Sequence, residues 1–213
     1  MDWDSWSYLM AMAATVAFAV TAVLAIMEKE VDLFGAVVLG LVTAVGGGTI
    51  RDLVLDVPVF WADDLSYIWV GAAASVAAFY GRKIFAQRKV FGLMLYLDGF
   101  GAALFAVQAT GKVWDQGFGL PAAPVILGVI TAIGGGLIRD VLAGRATLLM
   151  RPELYAVPMT LGSILFVVSL EYFPEHRLVA SILCLAFTFG LRAAAIRWDL
   201  QVPRFARSGG ESL

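Results

Sequence analysis

Residues 40–53 read GLVTAVGGGTIRDL and residues 128–141 read GVITAIGGGLIRDV, identical at nine of fourteen positions with an offset of 88. In each copy three adjacent glycines (Gly46, Gly47 and Gly48; Gly134, Gly135 and Gly136) precede a charged pair, Arg51 with Asp52 and Arg139 with Asp140. Both copies lie inside long apolar runs. Glycine costs a helix about 1 kcal/mol relative to alanine, and ionisable groups at membrane depth are expensive and by default functional.

Outward from these stretches, 61% of the 213 residues are hydrophobic and 15% charged. The mean hydropathy of +0.85 is that of a membrane protein. Crossing about 30 Å of hydrocarbon takes about 20 apolar residues. Seven runs qualify, at about 7–27, 33–55, 65–80, 90–110, 120–142, 154–170 and 178–196. The expected fold is all-α, one transmembrane domain over residues 1–213 with a short basic tail from 197. The acidic start MDWDSWSY lacks the basic region of a signal peptide, so the first run reads as a retained span. Pro121 and Pro124 fall in the first turn of the fifth run, where proline is tolerated.

Lysine and arginine set the orientation, because cytoplasmic loops carry their excess. The connection GRKIFAQRK, with Arg82, Lys83, Arg88 and Lys89, is placed inside as a topology signal on anionic headgroups; a specific lipid site there is the alternative. Lys29, Arg145, Arg151, Arg192, Arg197, Arg204 and Arg207 then share that side, leaving Lys112 and Arg177 outside and Arg51 and Arg139 within spans. The N-terminus is expected outside and the C-terminus in the cytoplasm. Trp3, Trp6, Trp61, Trp114, Tyr172 and Trp198 fall near span ends, as an aromatic belt requires.

The repeat extends beyond the motif. The offset of 88 also pairs Tyr67 with Tyr155 and Ser75 with Ser163, and an offset of 87 pairs Phe18-Ala19-Val20 with Phe105-Ala106-Val107. A three-helix unit at about 7–80 therefore recurs at about 90–170, followed by a seventh helix at about 178–196. Three spans are an odd number, so the second unit enters from the opposite face. Inverted repeats of this kind build transporters and channels whose polar pathway lies where the repeats meet.

Two uses of the glycines are open. A weakened helix can kink or unwind beside a wet cavity, where freed backbone groups find water, or small residues can let two helices pack closely. The charged pairs point to the first, with the second and fifth helices facing each other across hydrated space. Adjacent helix residues point in different directions, so a cross-repeat pairing, Arg51 with Asp140 and Arg139 with Asp52, is the expected arrangement. A buried ion-pair latch that never meets a permeant species is the structural alternative. Asp98 is a third intramembrane carboxylate whose repeat equivalent is Ala11; it faces either water or a neighbouring helix. Thr43, Thr49 and Thr131 either line a pore or bond their own helix carbonyls.

Other chemistry is excluded. GGGTIRD lacks the Lys-Ser/Thr ending of a phosphate loop and follows no soluble strand. His176 is the only histidine and lies in a loop, and Cys184 the only cysteine, which removes histidine metal sites, disulfides and a catalytic triad. Neither an enzyme nor a nucleic-acid binder is expected.

Seven spans, two inverted units and GGGxxRD in the second and fifth helices closely resemble the prokaryotic branch of the trimeric intracellular cation (TRIC) channels. Members of that bacterial family have also been described as glycine transporters. The resemblance covers about residues 7–197, and the LDxxG pattern of the fourth helix matches Leu97, Asp98 and Gly101. It implies a homotrimer in the inner membrane, one hourglass-shaped pore per protomer, and passage of K+ and less readily of Na+. It implies a gate near glycine-kinked second and fifth helices, with no cofactor beyond permeant ions and bound lipid. The first helix departs from the pattern, with Ala11 and Ala14 where an acid and a glycine often stand. The alternative function is transport of a small zwitterion such as glycine, its carboxylate beside Arg51 or Arg139.

Overall fold

The computed structural model describes residues 2–81 and 87–201. Most of the basic connection, including Arg82 and Lys83, lies outside the described residues, as do Arg204 and Arg207. Among the described residues there are eight α-helices and no strand: α1 (Trp3–Ala25), α2 (Leu33–Val54), the four-residue α3 (Phe60–Asp63), α4 (Ser66–Gly81), α5 (Gln87–Asp115), α6 (Ala122–Leu142), α7 (Ala156–Tyr172) and α8 (Arg177–Trp198). Five of them, α1, α2, α5, α6 and α8, are long and apolar enough to cross a membrane; α4, at 16 residues, and α7, at 17, are shorter. Asp2 and Asp32 accept the backbone N–H of Ser5 and Gly35, closing the first turns of α1 and α2.

Helices α1, α2 and α4 pack on one another, and α5, α6 and α7 repeat the arrangement; α8 lies against α5 and α7. Between the units α1 meets α5 and α2 meets α6. Small side chains make this approach possible, with Ala11, Ala14, Ala19 and Ala22 of α1 and Ala102, Ala103, Ala106 and Ala109 of α5 buried. The repeat mates Phe18 and Phe105 stack on each other with ring centroids 5.6 Å apart.

The glycines complete the joint. A Cβ on Gly47 would lie 2.2 Å from the Thr131 carbonyl oxygen, and one on Gly135 would lie 2.1 Å from the Thr43 carbonyl oxygen. Each residue touches the repeat mate of the residue that touches it, the reciprocity of a two-fold axis. Two expectations are corrected here. Helices α2 and α6 run without a break through Gly46–Gly48 and Gly134–Gly136, and they meet backbone to backbone instead of across hydrated space. The gain from direct contact of two side-chain-free surfaces offsets the low helix propensity of the glycines.

Alanine at Gly47 or Gly135 is expected to wedge the crossing open and cost about 1–3 kcal/mol, read as earlier unfolding in a detergent denaturation series. Gly92→Ala is the control: among the described residues nothing outside its own helix backbone and chain neighbours lies within 4 Å of the added methyl, and it should unfold no earlier than the parent.

Candidate functional site

Each charged pair sits in the last turn of its helix, and each is closed locally. Arg51 Nε donates to Asp52 Oδ1 at 2.8 Å, and Arg139 Nε donates to Asp140 Oδ1 at 2.9 Å. The second carboxylate oxygen reaches eight residues forward: Asp52 Oδ2 accepts the backbone N–H of Phe60 and Asp140 Oδ2 that of Leu148, both at 3.0 Å. Each aspartate thus ties a helix end to the short helix after it, α3 in one unit and the 3-10 turn Leu148–Met150 in the other.

The expected cross-repeat pairs, Arg51 with Asp140 and Arg139 with Asp52, do not form. The Cβ atoms of adjacent residues do diverge, but a guanidinium on a three-carbon stem reaches well past its Cβ and turns to the neighbouring carboxylate. Its planar fork then meets the carboxylate edge. Spacing along the backbone describes Cβ positions, and arginine works well beyond its Cβ.

The third partner differs between the units. Arg139 Nη1 donates to Asp98 Oδ1 at 2.6 Å and to Thr21 Oγ1 at 3.0 Å. Arg51 Nη1 donates to Gln108 Oε1 at 3.1 Å, and Gln108 is the mate of Thr21 at the offset of 87. Lys112 Nζ joins this first cluster, donating to Asp52 Oδ1 at 2.8 Å. The second cluster is one arginine held between two carboxylates; the first is two cations sharing one. Arg139 and Asp98 are 0% exposed and Arg51 is 2% exposed. Thr21 and Ser7, the α1 residues that bond Arg139 and Gln108, are fourteen positions apart, so the clusters lie about 20 Å apart along α1.

Of the two readings of Asp98, the structure takes the bonded one. Gly136 makes room for it: a Cβ there would lie 3.2 Å from Asp98 Oδ1 and 3.0 Å from the Tyr155 hydroxyl. The threonines also take their local reading. Thr43, Thr131 and Thr49 donate to the carbonyls of Leu39, Leu127 and Val45 at 2.7, 2.6 and 2.8 Å, and Thr49 also accepts Trp61 Nε1 at 2.9 Å. Gln108, Lys112 and Thr21 were not among the sequence candidates. The offset of 87 pairs Gln108 with Thr21, two polar residues at matched positions in apolar helices, and that signal would have found them. Arg192, placed by sequence at the cytoplasmic edge, is 0% exposed and donates to the Leu154 carbonyl at 3.0 Å and to Glu153 Oε2 at 3.3 Å. Asp64, in the loop after α3, is held below the usual carboxylate range by its hydrogen bonds with Ser66.

A family model described as "Glycine transporter" matches the chain twice, at residues 8–83 and 95–171, close to the bounds of the two repeated units. The UPF0126 inner membrane protein YadS of Escherichia coli (strain K12) is 38% identical over 201 residues, covering 93% of this chain and 96% of its own. The TRIC trimeric intracellular cation channel orthologue from Rhodobacter sphaeroides superposes with a TM-score of 0.86 at 37% identity, over 92% of this chain and all of its own. A TRIC cation channel solved for the structural basis of its conductance superposes with a TM-score of 0.84 at 30% identity, over 99% of this chain and all of its own.

A double-mutant cycle separates local from cross-repeat pairing. The pair Arg139→Gln and Asp98→Asn is expected to couple by about 1–3 kcal/mol in detergent unfolding, and the pair Arg51→Gln and Asp140→Asn by less than about 0.5 kcal/mol. Strong coupling in the second cycle would restore the cross-repeat arrangement.

Proposed function

The chain belongs to the bacterial glycine transporter (TRIC) family, and from that membership we propose that it is a passive monovalent cation channel, K+-permeable with Na+ passing less readily. The observation that carries the proposal is a pair of buried guanidinium–carboxylate clusters at opposite ends of a glycine-to-glycine helix crossing. The likeness to solved cation channels over nearly the whole chain supports it.

In this reading the chain crosses the inner membrane seven times with its N-terminus outside, assembles as a homotrimer, as the trimeric orthologue suggests, and carries one pore per protomer. The crossing of α2 and α6 is the barrier. With Gly47 and Gly135 each against the partner helix's backbone, no ion passes between them. Bending at the glycines separates the helices, and the arginines act as latches. An arginine near a cation path repels the ion unless a carboxylate neutralises it. Release of Arg139 from Asp98 frees a carboxylate to meet the cation in place of part of its hydration shell. The exposed acids Asp4, Asp56 and Asp63 concentrate cations at the outer mouth, an effect screened by salt.

Purified protein in a planar bilayer under a KCl gradient is expected to give unitary currents reversing near the K+ potential. Electrically silent vesicles that accumulate labelled glycine would instead establish the zwitterion transporter. Asp98→Asn is expected to raise open probability about tenfold for each 1.4 kcal/mol of latch energy removed, with unitary conductance unchanged; an unaltered open probability would remove Arg139 from gating.

A further inference from the structure

The inverted repeat leaves one position unfilled. In the second unit the arginine has two carboxylates, Asp140 from its own helix and Asp98 from α5. In the first unit the residue matching Asp98 is Ala11, and its methyl lines a cavity of about 120 Å³ together with Arg51, Lys112, Gln108, Tyr67 and Phe60. That is room for several waters or one small organic molecule. Arg51 donates through Nε and Nη1 and makes no hydrogen bond through Nη2 among the described residues. Lys112 is 25% exposed, so the cavity is reached from its rim.

The charges there do not balance. Arg51 and Lys112 both bond the same oxygen of Asp52, while the second cluster holds two acids to one arginine. A buried cation without its full counter-charge is costly, and a guanidinium fork beside an ammonium is the donor set that binds carboxylates. Asp63, exposed on α3, acts on Lys112 from a distance without forming an ion pair, so it moderates the excess and does not occupy the cavity.

We propose that this cavity binds a small carboxylate, whose anionic group takes the place beside Arg51 that Asp98 takes beside Arg139. Two sources share that chemistry, a simple carboxylate such as acetate and the carboxylate of an amino acid such as glycine. In the second case the ammonium is directed towards Asp63. The site stands on the charge and geometry of the first cluster, whatever species permeates.

Calorimetric titration of the full-length protein in detergent at low ionic strength tests it. Acetate and glycine are expected to bind in the millimolar range and methylammonium not at all. Glycine tighter than acetate, with the difference abolished by Asp63→Asn, identifies the amino acid; equal affinities identify the simple carboxylate. Ala11→Asp supplies the missing acid from within and should abolish binding while leaving the protein at least as stable as the parent. Lys112→Gln, at the rim, should weaken acetate by about tenfold. Absence of acetate and glycine binding to the parent protein would overturn the proposal, as would binding of methylammonium, or unchanged affinity in Lys112→Gln or in a folded Ala11→Asp.

Discussion

A guanidinium taken out of water must be given a carboxylate, and much of the internal architecture follows from meeting that demand twice. Bringing an ion into low dielectric costs several kcal/mol even after relaxation, so neither Arg51 nor Arg139 could be buried on its own. Each is met first by the aspartate beside it. That aspartate is in turn oriented by a backbone N–H eight residues ahead, which fixes the course of the chain leaving α2 and α6. The motif is therefore a way of ending a helix as well as a charged site, and its duplication carries the loop geometry with it. Val57 and Arg145, also 88 apart, donate their backbone N–H to the carbonyls of Asp52 and Asp140.

The glycines solve a separate problem. Two helices related by a two-fold axis meet themselves at the axis, so whatever stands there must be self-complementary. Gly47 against Thr131 and Gly135 against Thr43 achieve this with bare backbone, and the stacked Phe18 and Phe105 do the same for α1 and α5. The units are alike in backbone and unlike in polar content: Asp98 against Ala11, Gln108 against Thr21, Lys112 against Ala25. At these three positions the divergence alters the charge and hydrogen bonding around the arginines without altering the fold.

How far this was legible in the sequence follows from what a linear pattern encodes. The all-helical fold and the repeat were readable because hydropathy, length and self-similarity are properties of contiguous residues. Arg51, Asp52, Arg139 and Asp140 stood out because the repeat marked them, and the structure buries all four. The pairing of Arg51 and Arg139 was misread because the rule for neighbouring helix positions concerns Cβ directions, and a long flexible side chain at a helix end escapes it. Of the two uses open to the glycines the charged pairs pointed to the wet one and the structure takes close packing, since propensity counts the cost of a glycine and says nothing of the partner surface that offsets it. Lys112 was assigned to the outer loop by position alone; only the fold brings Asp52 to it.

Local pairing of each arginine also bears on how such a chain enters a bilayer. A ribosome adds about 5–20 residues per second, so the 88 positions between the two motifs represent a delay on the order of ten seconds. Had Arg51 depended on Asp140, it would have waited that long in the translocon or lipid with its charge unanswered. Pairing with Asp52 lets α2 leave the insertion machinery already neutralised, and lets the second half arrive later to a partner that is electrically complete.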